Sequence, residues 1–185
     1  MVSTVLERAR EVAAAVPDPE LPMLTLADLG VLADVEEADG AVTAWLTPTY
    51  SGCPAIAEMA ADVSRRLRAA GFDRVEVRLR IDPPWSSDRI SAEGRRKLAA
   101  AGIAPPVPGG LRQPDGMRQS DGMGQSDGMR QSGGVLQLGP TRRVVACPQC
   151  GSQDTEELSR FGSTACKSLW RCRSCREPFD RIKEI

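Results

Sequence analysis

The sequence predicts an α+β protein, in which a small mixed sheet with packed helices (α-β-β-α-β-α) is followed by a flexible linker and a small β-hairpin ribbon. Hydrophobic periodicity alternates between the helical and the extended type up to about residue 104. Two Cys-x-x-Cys pairs mark the C-terminal segment, and the composition between them and the first segment changes abruptly. We therefore predict domains at residues 1–104 and 141–185, joined by a linker at residues 105–140.

Each predicted element rests on its own pattern. Apolar residues at helical spacing predict three helices, at residues 2–16, 54–70 and 91–101. Alternating β-favouring residues predict five strands, at residues 30–36, 41–47, 75–81, 155–161 and 167–171. Asp39-Gly40 predicts a tight hairpin turn between the first two strands. The helix between the second and third strands predicts a parallel βαβ crossover.

The linker contains a six-residue repeat in three copies, which together span residues 114–131. Each copy has a single Met as its apolar residue and an Asp-Gly turn pair. Such a segment cannot bury enough surface to offset the entropy of ordering its Gly-rich backbone. The three methionines could form a soft metal-ligand set, but a flexible linker that expanded by repeat slippage is the favoured interpretation.

The chain contains no histidine, which limits its chemistry more than any other count. The absence excludes the Ser-His-Asp triad, the Cys-His dyad, His-ligated zinc and the Glu-x-x-His helices of di-iron oxygenases. A general base would have to be Asp, Glu, Lys, Tyr or a thiolate. Cysteine chemistry is the main repertoire that remains.

The net charge and the composition of the N-terminal segment indicate which partners and which cellular compartment to expect. Lys and Arg number 24 and Asp and Glu 25, a net charge of −1, with about +3 on residues 141–185. This balance gives no bulk reason to bind nucleic acid or an anionic membrane. The charged N-terminal residues do not resemble a signal peptide, and no apolar stretch approaches a membrane span. We expect a cytoplasmic protein whose paired cysteines bind metal or act in redox chemistry.

The C-terminal segment holds Cys147-Pro-Gln-Cys150 and Cys172-Arg-Ser-Cys175. Two such turns supply four thiolates, enough for a tetrahedral S4 site, and about 45 residues need a metal to fold stably. Zn²⁺ is the predicted ion, with iron in a rubredoxin-like site as the alternative. The remaining cysteine of this segment, Cys166, is not part of either pair. It is predicted to be a buried structural thiol or, alternatively, an exchangeable fifth thiol near the metal.

Cys53 is the candidate functional thiol of the N-terminal domain. Pro54 suits the first helical position, which would place Cys53 at or near the N-cap. Free backbone N–H groups and the helix dipole would then stabilise its thiolate, and Gly52 would allow another group to approach. This geometry suits a nucleophile, a persulfide carrier or an iron ligand. The alternative is an inert, half-buried thiol that caps the helix.

Two rigid proline-containing loops accompany this thiol. In Asp18-Pro-Glu-Leu-Pro22, two prolines hold the carboxylates of Asp18 and Glu20 on a stiff loop, which alone would be read as a helix stop. Asp82-Pro-Pro-Trp-Ser86 is a second stiff turn at a strand end, where Trp85 could simply cover the sheet.

Together these segments carry a resemblance. Residues 5–103 contain, in order, Asp18-Pro-Glu-Leu-Pro22, Asp28-Leu-Gly-Val-Leu32, Thr49-Tyr-Ser-Gly-Cys-Pro54 and Asp82-Pro-Pro-Trp-Ser86. This ordered set resembles the domain shared by SufT-type iron–sulfur maturation factors and eukaryotic cytosolic iron–sulfur targeting proteins. The resemblance implies a role in assembling or delivering iron–sulfur clusters. It also implies that Cys53 is the functional thiol, able to hold a transient cluster, with Asp18 and Glu20 nearby as acid–base or iron-ligating groups.

The ribbon extends this resemblance. It carries Cys147-Pro-x-Cys150, Phe161-Gly-Ser-Thr-x-Cys-Lys167 and Cys172-x-x-Cys-x-x-Pro-Phe179. Combined with the first domain, these segments resemble the PaaD (or PaaJ) family, the D subunits of phenylacetyl-CoA epoxidase systems in aerobic phenylacetate degradation. The resemblance implies oxygenase subunits with a di-iron site and a flavin and 2Fe–2S reductase as partners. It implies an accessory subunit without catalysis of its own that aids cluster or di-iron assembly. The alternative is a structural or interaction subunit of the same complex.

Overall fold

The computed structural model describes residues 2–50, 52–107 and 144–185. Four α-helices lie in this part of the chain: α1 Val2–Ala14, α2 Leu26–Leu29, α3 Ala55–Ala69 and α4 Ala92–Ala100. Six strands accompany them: β1 Leu32–Ala38, β2 Ala41–Leu46, β3 Arg74–Leu79, β4 Thr155–Ser159, β5 Lys167–Cys172 and β6 Pro178–Ile182. The predicted α+β class is confirmed. Most of the predicted linker, residues 105–140, lies outside the described ranges, and its role stays a prediction.

The first sheet is mixed and has the strand order β1-β2-β3. β1 and β2 are antiparallel, and β2 and β3 are parallel, with α3 as the connection between them. The hairpin turn has φ angles of 52° at Asp39 and 73° at Gly40, the left-handed pair that a type I′ turn requires. The predicted hairpin and βαβ crossover are therefore both confirmed.

The core of the N-terminal domain lies between α1, α3 and this sheet. The buried face of α3 presents Met59, Val63 and Leu67, three and four residues apart as an amphipathic helix requires. From the loops, Trp85 is 5% exposed and its indole N–H donates to the carbonyl of Leu29. Within the described ranges, no helix combines the length and apolarity needed to cross a bilayer.

The short helix α2 was not predicted from the sequence. α2 has Thr25 as its N-cap, and Thr25 and Asp28 form a reciprocal capping box. Gly30 ends it with φ of 65°, and a Cβ at this position would lie 2.7 Å from the carbonyl oxygen of Arg89. Four residues are too few to establish a helical period, so only the capping pair could have indicated it.

The second sheet is antiparallel and has the order β4-β5-β6. The hairpin of β4 and β5 agrees with the two predicted strands, but β6 adds a third that sequence analysis did not identify. β6 begins at Pro178 and includes Asp180 and Arg181, a composition with little intrinsic strand preference. Pairing with β5 makes this segment a strand.

The two folded parts contact each other directly. The backbone N–H of Ala104 donates to the carbonyl of Asp180 at 2.8 Å, and the N–H of Ile182 donates back to Ala104 at 3.0 Å. The N–H of Ser87 donates to the carbonyl of Ile185 at 3.1 Å. The Ile182 side chain is buried in the N-terminal core. Conversely, Ala104 is buried among side chains of the ribbon, which are Val145, Trp170 and Phe179.

Candidate functional site

Four cysteine sulfurs form a compact group at one end of the ribbon. The Sγ atoms of Cys147, Cys150, Cys172 and Cys175 all lie within 4.8 Å of one another. The Cys147–Cys175 sulfurs are 3.8 Å apart, and the Cys150–Cys172 sulfurs are 3.6 Å apart. A tetrahedron with Zn–S bonds of about 2.3 Å has edges of about 3.8 Å, so the sulfurs fit a metal of this size. The group is therefore built as a closed four-thiolate metal site.

The backbone around this group is shaped by two similar turns. The residue after each Cys-x-x-Cys pair is left-handed, with φ of 74° at Gly151 and 67° at Arg176. Hydrogen bonds, first among them the one that the N–H of Cys175 donates to the Cys172 sulfur at 3.4 Å, lower the pKa of the Cys172 thiol to about 6. A lowered pKa favours the thiolate, which is the form that binds metal.

Cys53 lies in the loop between β2 and α3, near the N-cap as predicted, although Pro54 is the N-cap itself rather than the first helical residue. The N-cap of α3 is Pro54, with φ of −69°, and no side chain makes a capping hydrogen bond there. Cys53 precedes the cap by one residue, because Pro54 already has the helical φ and the turn begins at the N–H of Cys53, which donates to Tyr50. Its side chain is half-buried and packs against the N-terminal core.

The Asp18 loop is held by its own carboxylate. Asp18 is 5% exposed, and its Oδ1 accepts the N–H groups of Glu20 at 2.8 Å and Leu21 at 2.7 Å. Burial raises the pKa of Asp18, while these two hydrogen bonds and the nearby Lys167 ammonium oppose the rise. Glu20 itself is exposed. Asp18 therefore shapes the loop, and Glu20 presents the accessible carboxylate.

Cys166 stands immediately before β5 and is half-buried. Its sulfur lies 3.1 Å from the Thr164 hydroxyl oxygen, and its carbonyl accepts the N–H of Lys183 at 3.0 Å. Burial raises the pKa of the Cys166 thiol, and the Glu20 carboxylate raises it further.

Tyr50 lies in the loop that precedes Cys53. Burial raises the pKa of the Tyr50 hydroxyl, and electrostatic interactions with Cys53, Cys166 and Glu20 raise it further. The Tyr50 ring also fills the space beside Gly52, where an added Cβ would lie 3.3 Å from it. Sequence analysis did not identify Tyr50 as a site residue. Its presence as the single tyrosine of the chain, two residues before Gly52-Cys53, is the signal that could have indicated it.

Lys167 is the second residue that sequence analysis missed. It is 5% exposed, and its ammonium donates to the Ser163 hydroxyl at 3.1 Å. Its charge opposes the rise in the pKa of Asp18, which is also 5% exposed. The remaining predicted motif, at Trp85, belongs to the core and not to this group.

Two protein families match separate parts of the chain. Residues 7–79 match the family described as iron-sulfur cluster assembly protein. Residues 131–183 match the family described as PaaD zinc beta ribbon domain. Taken with the four-sulfur group, these matches make the C-terminal segment a zinc-ribbon domain with a cysteine metal-binding cluster.

Individual relatives extend across both parts. A protein of Escherichia coli (strain K12), assigned as the D subunit of a 1,2-phenylacetyl-CoA epoxidase, is 37% identical over 92% of this chain and 87% of its own length. An Fe-S protein maturation auxiliary factor of Porphyromonas gingivalis (strain ATCC BAA-308 / W83) is 35% identical over 44% of this chain and 78% of its own. A crystal structure of a domain of unknown function from Bacillus anthracis is 27% identical, with a TM-score of 0.48 over 52% of this chain and 92% of that one.

The first of these relatives is similar along nearly the whole chain, in the assembly domain and in the ribbon alike. The similarity to maturation factors, in contrast, is confined to about half of the chain. Both findings agree with an accessory protein of iron–sulfur type. The chain belongs to the family of phenylacetyl-CoA epoxidase D subunits, and it joins the iron–sulfur cluster assembly domain to the PaaD zinc ribbon.

Proposed function

We propose that this protein is an accessory subunit of a phenylacetyl-CoA epoxidase system, in which it aids assembly of an iron centre in a partner subunit. The clients would be the cluster-bearing reductase or the di-iron oxygenase. The observation that carries the proposal is the half-buried, free Cys53 thiol in a domain that matches the iron–sulfur assembly family, with the exposed Glu20 carboxylate as an accessible oxygen donor of the same domain.

The donor chemistry of this group supports handling of iron rather than hydrolysis. A thiolate and a carboxylate are both iron ligands, whereas a cysteine hydrolase needs a histidine base, and the chain has none. Cys53 can also carry sulfur as a persulfide. In this scheme Asp18 holds the loop in shape through its two backbone hydrogen bonds, and Glu20 acts as the oxygen donor or proton acceptor.

The ribbon has a different role in the proposal. Four thiolates around one Zn²⁺ leave no open coordination position, which is typical of structural sites. We therefore assign Zn²⁺ at Cys147, Cys150, Cys172 and Cys175 to folding, not to cargo.

A second candidate function is that of a docking protein without a chemical role. Two large apolar side chains support it, because Phe161 is 77% exposed and Ile81 is 73% exposed. Under this hypothesis the epoxidase would assemble poorly without this chain, but assembled complexes would carry their full iron.

The test is complementation of a strain that lacks this chain, combined with iron and labile-sulfide assays on the purified oxygenase and reductase. Cys53→Ser should leave the fold intact, because it is a change of one atom at a half-buried loop position, and the cost should stay below about 1 kcal/mol. Epoxidation should fall at least tenfold, with iron or sulfide missing from one client.

Glu20→Gln should give a smaller loss, and Glu11→Gln, on the exposed face of α1, is the matched control that should behave as wild type. Normal epoxidation and fully loaded clients with Cys53→Ser would refute the thiol mechanism. Poor complex yield with full iron content would instead support the docking function.

A further inference from the structure

Strand β3 forms one edge of the N-terminal sheet. It pairs with β2 on one side, and the N–H of Arg80 continues that ladder by donating to the carbonyl of Leu46 at 2.8 Å. Within the described residues, the other side of β3 makes no backbone hydrogen bond. Backbone groups alternate in direction along a strand, and Arg80 directs its own toward β2. The free N–H and C=O groups of the edge therefore belong to the odd-numbered residues.

The odd-numbered side chains of this edge are also the apolar ones. Val75 and Val77 are partly buried and pack against the core. Leu79, in contrast, is 50% exposed, and Ile81, just beyond the strand, is 73% exposed. A free backbone edge beside exposed apolar side chains is a template for another strand, unless charged side chains or a loop cover it.

The two arginines near this edge do not cover it. The guanidinium carbons of Arg78 and Arg80 lie 5.7 and 4.9 Å from the ring centroid of Trp45, which belongs to β2. Both side chains are therefore directed inward over the sheet. Arg80 also pairs with Glu36 at 3.8 Å, a long and partly exposed contact that contributes little to stability. Arg80 can therefore exchange this partner for another carboxylate at little cost.

We propose that β3 is the interface of a homodimer, in which the β3 strands of two copies pair antiparallel about a two-fold axis at Arg78. The free backbone groups of two such edges meet only where odd-numbered residues oppose odd-numbered residues. In the register centred on Arg78, Leu79 faces Val77 of the second copy, and Ile81 faces Val75 of the second copy. This pairing covers both exposed apolar side chains and gives partners to the free N–H and C=O groups of β3.

The charges on β3 favour this register over its neighbours. It places Glu76 opposite Arg80 of the second copy at two symmetric positions. Its cost is the meeting of two Arg78 side chains, each of which is already paired with Glu76 of its own chain at 2.7 Å. The register centred on Val77 would pair Glu76 with Arg78. It would also set Arg74 against Arg80, so that attraction and repulsion cancel. The next registers on either side oppose like charges only.

The experiment uses the full chain with zinc in its ribbon, under reducing conditions that exclude disulfide-linked dimers. Sedimentation equilibrium over a concentration series should show monomer and dimer with a Kd on the order of micromolar, because one strand on each side is a small interface. Ile81→Lys should weaken dimerisation at least tenfold, since it sets an ammonium group against Val75. Leu158→Lys, at an exposed position of the ribbon, is the matched control and should dimerise as wild type. Cys53→Ser should also dimerise as wild type, so the dimer and the proposed iron function are tested separately.

Charge exchange tests the register. Glu76→Arg or Arg80→Glu alone should weaken dimerisation by about fivefold, because each substitution sets like charges opposite one another. Both substitutions in one chain restore opposite charges at the two positions and should recover most of the lost affinity. If the two strands paired about Val77 instead, Arg80→Glu alone would strengthen dimerisation, because the new carboxylate would face Arg74. That outcome would overturn the proposed register.

Amide hydrogen exchange tests the strand pairing itself. In a dilute, monomeric sample the amides of Val75, Val77 and Leu79 should exchange fast, while those of Arg78 and Arg80, which point toward β2, are protected. Raising the protein concentration should slow exchange most in the first group. A chain that stays monomeric at every concentration, or a dimer that leaves Val77 and Leu79 unprotected, would overturn the proposal.

Discussion

The N-terminal domain buries a continuous aliphatic cluster, which extends from Ala9 on α1 through the sheet to Leu98 on α4. The ribbon buries, among its described residues, a far smaller cluster that includes two of its metal-site cysteines. Apolar burial contributes about 25 cal/mol per Å², so the first part can be stabilised by its core, while the second needs a metal to reach a stable fold. The chain therefore has two sources of folding free energy, which are apolar burial in the N-terminal domain and metal binding in the ribbon.

The largest expected effect is loss of the ribbon when its metal is removed. Each chain should bind one Zn²⁺, and Cys172→Ser should abolish stoichiometric binding, because a closed site contributes about 10 kcal/mol to folding. Elemental analysis and hydrogen exchange of the ribbon measure this, with Cys166→Ser as the control that should keep its zinc. Iron in the purified protein, visible as a red colour, would contradict the zinc assignment.

A second prediction tests the contact between the N-terminal domain and the ribbon. Ile182 belongs to the ribbon by sequence but is buried in the N-terminal core, so Ile182→Ala should destabilise the N-terminal domain by about 2–4 kcal/mol. Urea unfolding followed by far-UV circular dichroism reports this, since the helices of the described residues all lie in that domain. Leu158→Ala, at an exposed ribbon position, should have little effect. If Ile182→Ala lowered the free energy of unfolding as little as Leu158→Ala, the contact would not contribute to stability.

The third prediction concerns charge within the N-terminal domain. Burial raises the pKa of Asp28, but hydrogen bonds from Lys97 at 2.7 Å and from Thr25 outweigh it, so the net pKa lies below its usual 3.8. A lowered folded-state pKa contributes stability above the unfolded-state pKa, and this is lost as pH falls through the folded value. Asp28→Asn should therefore cost about 2 kcal/mol at neutral pH, and the cost should decrease as the pH falls below 3.8.

Urea unfolding at neutral pH and below pH 3.8 checks this, with Glu93→Gln as control. Glu93 pairs with Arg96 on the exposed face of α4, where an ion pair contributes little. A cost for Asp28→Asn that does not shrink in acid would assign its effect to geometry rather than to charge.

The smallest expected effect belongs to the segment between the two parts. Deleting residues 115–131 should leave the melting temperature nearly unchanged, because a repeat with one apolar residue per copy cannot form a core. A shorter connection lowers closure entropy only slightly, by about 0.6 kcal/mol per halving. A loss of several degrees would show that this segment packs against one of the folded parts.

Part of this molecule follows from the sequence by itself. Local periodicity and turn residues act over a few positions, and they were enough to predict helices α1, α3 and α4, the Asp39-Gly40 hairpin and the crossover. The four metal-site cysteines follow from their spacing, because a Cys-x-x-Cys turn brings two sulfurs together whatever surrounds it. Cys53, Asp18 and Glu20 came from the resemblance of their motifs, not from any local rule.

The tertiary structure alone decided the rest. α2 and β6 are too short or too polar to form without the neighbours they pack against. No local pattern could bring Lys167 close enough to influence the pKa of Asp18, since more than a hundred residues separate the two positions in the sequence. Which surfaces meet is determined by the packing of Ile182 and the pairing of Ala104 with β6, which depend on complementary shape and hydrogen bonding between distant parts of the chain.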